Sequence, residues 1–410
     1  MIALNRLTIR SLFVPARVFM VSAMLVNAGN YLYNLLLSRI LGPARFADAA
    51  ILVTFLLVLS FVAMTLQLTV AKFTGSFEDG RKDTFLSLAR KWSLWTGFVI
   101  GVLVFVLAES LAGWFQTGSA WMFRIFALGI PIYFLMSVNR GNFQGEQEFL
   151  KLSFTYQAEM FSRLLLSLLF LAVLPFGSSE LVALGIFCSF IPGLLPYKKL
   201  KLSALPKMNI SEVAHLKKFL LVTAFYELTQ ILINNGDLLL VKHFFEAESA
   251  GLYASVALIG RGVYFVAWMF VMLLLPEVVQ LQRQGKNTND VLFKHLFNIS
   301  LLGAAIVLVT YIFPELVISM LFGDAYLEAA DILWKYALAS LLFALANIFV
   351  YYFLSLDRYV PVLLSGIMGL VQLLAISYWH GSLAAVVHIQ LLLMGVLLLL
   401  QVWFFFYRNK

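Results

Sequence analysis

A chain of 410 residues that is 62% hydrophobic and only 12% charged, with a mean hydropathy of +0.92, has too little polar surface to enclose a soluble core. Ordinary globular chains carry about 25% charged residues, so the balance excludes a soluble enzyme and predicts an all-α, polytopic helical membrane protein. The formal net charge of +8 is not gathered into a basic surface interleaved with aromatics, so nucleic acid is not an expected partner. Short alternating segments, the mark of a transmembrane barrel, are absent, while apolar stretches of about 20 residues recur.

Twelve spans are predicted, near residues 18–41, 46–71, 92–115, 122–142, 153–175, 179–196, 218–243, 250–276, 296–314, 331–355, 358–379 and 382–407. The first follows Arg6, Arg10 and Arg17, and is too long for a cleaved signal peptide. With the N-terminus placed in the cytoplasm, 22 of the 29 lysines and arginines fall on cytoplasmic segments. Arg39, Arg45, Arg124, Lys242 and Lys335 fall outside, and Arg163 and Arg261 fall inside the membrane. This positive-inside bias places both termini in the cytoplasm. The longest cytoplasmic connection carries Lys198, Lys199, Lys201 and Lys207 beside Pro206, suited to anionic headgroups of the membrane lipids. It divides the chain into an N-terminal six-helix half (1–196), a basic linker (197–217) and a C-terminal six-helix half (218–410).

The halves repeat. Shifted by about 203 residues, Asn27 meets Gln230, Tyr31 meets Asn234 and Asn34 meets Asp237; beyond the turn, Ala47 meets Gly251 and Leu57 meets Arg261. Both halves start from the cytoplasm, so the repeats are parallel, and a cleft between them is the expected place for function. Glu227, Gln230, Asn234 and Asp237 recur at spacings of three and four, which sets them on one helix face. Such a stripe in hydrocarbon either lines a wet cleft or joins helices by hydrogen bonds.

Four segments carry a resemblance. Ser38-Arg39-Ile40-Leu41-Gly42-Pro43-Ala44-Arg45-Phe46 resembles the first outer turn of Wzx-like polysaccharide (O-antigen/exopolysaccharide) flippases. These belong to the multidrug/oligosaccharidyl-lipid/polysaccharide exporter (MOP) superfamily. Arg140-Gly141-Asn142-Phe143-Gln144-Gly145, then Phe149, Glu159 and Arg163, resembles their connection between spans four and five. Asn235-Gly236-Asp237 with Ala250-Gly251-Leu252-Tyr253 resembles the turn opening their second half, and Pro276-Glu277-Val278 the inner end of their eighth span. Ala47, followed by Asp48, departs from a glycine often found there. The resemblance implies two six-helix halves around a central cleft, as in MOP and MATE transporters. It also implies a transporter that moves lipid-linked oligosaccharide, usually on undecaprenyl diphosphate, to the outer leaflet, with other polysaccharide-assembly proteins as possible partners.

Such cargo needs cations for the diphosphate and amides for the sugar. The candidates are Arg261 and Arg163, with Asn27, Asn34, Gln67, Gln230 and Asn234. Arg163 has Glu159 four residues earlier, so a fixed pair on one helix face competes with a substrate contact. Arg261, between Gly260 and Gly262, has no acid at helical spacing, though it can pair across helices with Glu227 or Asp237. Those two carboxylates are candidates for ion coupling to a proton or sodium gradient. A static salt bridge is the alternative for Glu227, and turn capping for Asp237.

No cofactor or metal is expected. The five histidines lack ligand spacing, and the acids Glu315, Asp324, Glu328 and Asp331 suit a solvated helix start better than a metal site. The lone Cys188 sits in an apolar run as packing. There is no P-loop and no nucleophile elbow, so an enzyme is not expected. A MATE-type drug or cation exporter and a membrane glycan polymerase or ligase are the competing readings.

Overall fold

The computed structural model describes residues 15–75, 77, 79–197, 210–284, 286–356 and 358–408. These form thirteen α-helices and one short 3-10 helix, with no strand among the described residues. In chain order they are α1 (Pro15–Thr74), α2 (Asp79–Val106), α3 (Ala108–Trp114), α4 (Trp121–Gly145), α5 (Phe149–Val173), α6 (Ser178–Leu194), α7 (Ile210–Phe244) and α8 (Ala247–Arg283). There follow α9 (Asn289–Ile312), α10 (Pro314–Leu321), the 3-10 turn Asp324–Ala329, α11 (Ala330–Ser355), α12 (Val360–Tyr378) and α13 (Leu383–Arg408). The twelve expected crossings correspond to two legs of α1 and to α2, α4, α5, α6, α7, α8, α9, α11, α12 and α13. Among the described residues, eight helices are long and apolar enough to cross a bilayer.

The legs of α1 meet at Gly42, whose φ of 71° and ψ of 171° break the helix. A left-handed φ there is open to glycine, and Pro43 restarts the second leg at a first-turn position, where its missing N–H costs nothing.

Two stretches between predicted spans are largely helical. Phe73 to Arg90 holds only a short turn: α1 runs to Thr74 and α2 begins at Asp79. Glu277 to His295 likewise contracts to residues 284–288 between α8 and α9. The charged residues that mark a membrane exit continue the helix instead of ending it, because they find partners there. Lys82 pairs with Glu146, and the Arg90 guanidinium lies 4.5 Å from the Tyr197 ring centroid.

The chain forms two compact units. Unit 1 holds residues up to Tyr33 and Phe55–Glu227; unit 2 holds Asn34–Thr54 and Leu228–Lys410. The tip of the first hairpin therefore belongs to the second unit, not to the half that its sequence position suggests. Most of the predicted linker 197–217, and Arg6 and Arg10, lie outside the described residues.

In unit 1, α2 packs on α4, and α4 and α5 pack on α6. The opposite face of α2 presents Trp92, Trp95, Phe98 and Val102 outward, as a lipid-facing surface does. In unit 2, α11 is the central helix, packed against α8, α9 and α13. Its apolar core includes Leu274, Leu292, Ile348 and Phe353. Lipid tails are as apolar as leucine, so helix association here depends on close packing and on polar contacts between helices.

Candidate functional site

The polar residues fall into three clusters, each explained by the helices that carry it. The first lies in unit 1. Arg140 of α4 and Arg163 of α5 are both buried and share one carboxylate, Glu159. Arg140 Nη2 is 2.8 Å from Glu159 Oε2 and Arg163 Nη1 is 2.9 Å from Oε1. Arg140 also donates to the Thr155 hydroxyl at 3.0 Å and to the Thr155 carbonyl at 2.9 Å, and lies over the Tyr156 ring. Arg163 donates to Asn30 Oδ1 on the first leg of α1. The Glu159–Arg163 pair that the helical spacing allows is therefore formed.

The rest of the Arg140–Gly145 motif joins α4 to the second leg of α1. A Cβ at Gly141 would meet the Gln67 carbonyl oxygen at 2.5 Å, and one at Gly145 would meet the Ala71 carbonyl oxygen at the same distance. Glycine is therefore what lets the two backbones touch. Beside them Gln67 donates to Gln144 at 2.9 Å and accepts from Tyr156 at 3.0 Å, so both ends of its amide are engaged. Arg140, which its charge assigns to a cytoplasmic loop, is a buried structural cation. No spacing in the sequence announces this, since Glu159 is 19 residues from Arg140 on the next helix.

The second cluster holds the hairpin tip in unit 2. Arg39 donates to the Leu321 carbonyl at 2.9 Å and also to that of Met320, capping the C-terminus of α10. The Tyr326 hydroxyl donates to the Ser38 carbonyl at 2.8 Å. A Cβ at Gly251 would stand 1.9 Å from the Pro43 carbonyl oxygen, so only glycine fits against the turn. Lys242, an outer lysine by its position, is buried and pairs with Asp48.

The third cluster surrounds Arg261 on α8. Its Nη2 is 3.3 Å from Asn235 Oδ1 and 3.4 Å from Thr54 Oγ1, both neutral acceptors. Charge-assisted hydrogen bonds run nearer 2.7–2.9 Å, so these contacts satisfy the guanidinium weakly. Neither Glu227 nor Asp237 forms the cross-helix ion pair open to Arg261. Arg261 borders a cavity of about 40 Å³ with Asn234, Tyr264, Tyr336, Ser340, Gln372 and Gln390, and among the described residues no carboxylate lines it. Gln230 accepts from Tyr264, and both Gln230 Nε2 and Asn235 Nδ2 are buried donors without a protein acceptor.

Asp237 is buried one turn beyond Asn234 and takes two hydroxyls on one oxygen: Tyr336 at 2.7 Å and Tyr253 at 2.8 Å. Both tyrosines were unforeseen as site residues, since they stand 16 and 99 positions away. Glu227 is buried, and no hydrogen bond or ion pair joins it to another described residue. Asn34 is buried in unit 2, and Asn27 is half-buried on the first leg of α1. The structure therefore gathers Arg261, Asn234, Gln230 and Asp237, and places Arg163 and Gln67 in unit 1 contacts of their own. Among the described residues no group of three or more His, Cys, Asp or Glu side chains is placed to hold a metal ion.

These features define a multi-pass helical membrane protein with the fold of MOP-superfamily transporters. An inward-facing multidrug-resistance MATE transporter of that superfamily superposes with a TM-score of 0.79 at 13% identity, covering 93% of this chain and 94% of the other. The lipid II flippase MurJ, in an inward closed conformation, gives 0.76 at 14% identity over 94% and 87%. A MOP-superfamily transporter from Pyrococcus furiosus, described as having a binding pocket of reverse polarity, gives 0.66 at 14% over 96% and 94%. No curated protein matches the chain in sequence. The profile of the polysaccharide biosynthesis protein family matches residues 36–331, well over half its length, and the chain belongs to that family.

Proposed function

We propose that this chain is a flippase of cell-surface polysaccharide biosynthesis. It moves undecaprenyl-diphosphate-linked oligosaccharide from the cytoplasmic to the outer leaflet by alternating access. The observation that carries the reading is Arg261, a membrane-embedded guanidinium held, among the described residues, by two long, neutral contacts beside a cavity that no described carboxylate lines. A charge at bilayer depth costs about 2.5–3.5 kcal/mol on insertion scales. A diphosphate oxygen would offset that cost better than an amide or a hydroxyl. The amides Asn234, Gln372 and Gln390, with the unmatched donors of Gln230 and Asn235, suit an oxygen-rich ligand. At about 40 Å³ the cavity must widen to admit one. A cationic drug is disfavoured by the same lining, whose charge has the wrong sign.

Membership of a polysaccharide biosynthesis family supports the sugar-bearing cargo, and the positive-inside pattern supports an inner-membrane location with both termini cytoplasmic. We assign ion coupling to Asp237 and Glu227, the buried carboxylates without a basic partner among the described residues. The test is complementation of a flippase-deficient strain. The parent should clear lipid-linked oligosaccharide from the cytoplasmic leaflet, and Arg261→Ala at equal expression should let it accumulate. Full complementation by Arg261→Ala rejects the diphosphate assignment, and accumulation of incomplete glycan chains on deletion points to a polymerase instead.

A further inference from the structure

Asp237 and Arg261 stand on different helices, α7 and α8, and one side chain of α11 reaches the surroundings of both. The Tyr336 hydroxyl donates to Asp237 Oδ2 at 2.7 Å, and Tyr336 also walls the cavity beside Arg261. Tyr253 donates to the same oxygen at 2.8 Å and packs edge-on against Tyr336, their ring centroids 5.6 Å apart. The two hydroxyls are not equivalent. Both lie beside Gln390, Tyr253 at 3.2 Å from its Oε1, but of the two tyrosines it is Tyr336 that borders the space where an anion would sit.

A tyrosine has one proton to donate. While Asp237 is ionised it is a charge-assisted acceptor, about twice as strong as a neutral one. The Tyr336 proton then stays on it. Once the carboxyl is neutralised, a charged oxygen in the cavity becomes the better acceptor. We propose that Tyr336 is a positioning residue that links the charge on Asp237 to anion binding at Arg261: neutralising the carboxyl releases the Tyr336 hydroxyl to the anion. The inference rests on the assignment of Arg261 to a diphosphate. Because coupling between two equilibria is reciprocal, a bound diphosphate in turn favours neutral Asp237. The charged and titratable groups around Asp237 are Tyr253 and Arg261 of α8 and Tyr336 of α11. Among the described residues no basic nitrogen comes within 4.0 Å of its carboxylate.

A through-space effect of the Asp237 charge on the anion would act in the same direction, and a double-mutant cycle separates the two. Farnesyl diphosphate is titrated into the purified full-length protein as parent, Asp237→Asn, Tyr336→Phe and the double variant. Asp237→Asn is expected to tighten binding about tenfold when Tyr336 is present, within the usual range of coupled sites. In the Tyr336→Phe background, which keeps the ring wall and removes the proton, the gain should fall below about twofold. An equal gain in both backgrounds, or no gain in the first, overturns the proposal. Tyr253→Phe should leave the Asp237→Asn gain intact, and its loss there overturns the special place of Tyr336. If Tyr336→Phe is not monodisperse, 4-fluorophenylalanine at position 336 fills the hydroxyl's space without donating, and the same criteria hold. Binding that is indifferent to Arg261→Ala removes the underlying reading and this inference together. Arg261-dependent binding with a flat cycle removes the inference alone.

Discussion

The ammonium of Lys242 lies 2.9 Å from Asp48 Oδ1, joining the tip of the first hairpin to α7 although 194 residues separate them. With Lys242 only 1% exposed, this is a buried ion pair. Read alone, Asp48 merely follows the departing Ala47 of the resembled first-turn motif and Lys242 is an outer-end lysine; the pair gives both a structural task. Removing one partner strands a buried charge, at a cost of about 3–5 kcal/mol, whereas replacing both by apolar groups is often neutral. Asp48→Asn is therefore expected to lower the Tm of the purified protein sharply. The double variant Asp48→Leu with Lys242→Met should recover most of the loss. Additive losses in thermal unfolding would show that the two residues are not coupled.

The shared carboxylate of Glu159 leads to an ordering of effects. Glu159→Gln leaves two buried guanidiniums without a counter-charge and should be the most destabilising change in unit 1, by about 3–5 kcal/mol. Arg163→Met should cost less, because Glu159 keeps Arg140 as its partner. Unfolding of the two variants in parallel checks the ordering. Arg163→Met that unfolds like the parent yet fails to complement would assign Arg163 to the substrate path as well as to the pair.

Gln67 makes a plainer case. Its amide is engaged at both ends by Gln144 and Tyr156. Interhelical hydrogen bonds in membranes average about 0.6 kcal/mol, so Gln67→Leu is expected to shift stability slightly and to complement at parental level when expressed equally. Loss of complementation at unchanged Tm would assign Gln67 to the cargo.

Glu227 is expected to behave in the opposite way. A buried carboxylate without a hydrogen-bond partner pays for its own desolvation. Glu227→Gln removes the charge at nearly constant volume, so Tm should hold or rise. The dependence of transport on the proton or sodium gradient, measured in vesicles, should be lost. A sharp fall in Tm would mean that Glu227 has a structural partner, and unchanged gradient dependence would remove it from coupling.

Much was legible in the residues themselves. The 3.6-residue period, the span lengths and the scarcity of charge determined an all-α membrane fold, because hydrocarbon permits only backbones that satisfy their own hydrogen bonds. The polar stripe through Gln230, Asn234 and Asp237 was readable for the same reason: i, i+3 and i+4 neighbours share a face whatever the helix packs against.

Which charges are spoken for was decided only by the tertiary structure. The spacing of Glu159 and Arg163 allowed their pair, but only the packing of α4 on its neighbours brings Arg140 to the same carboxylate, and among the described residues it brings Arg261 to the neutral Asn235 and Thr54. Asp48 finds Lys242, and Asp237 finds Tyr253 and Tyr336, through contacts between helices that are distant in the chain. The physical reason is range. A helix period constrains neighbours within two turns, whereas the pairing of a buried charge depends on whichever helix packing brings within about 3 Å of it.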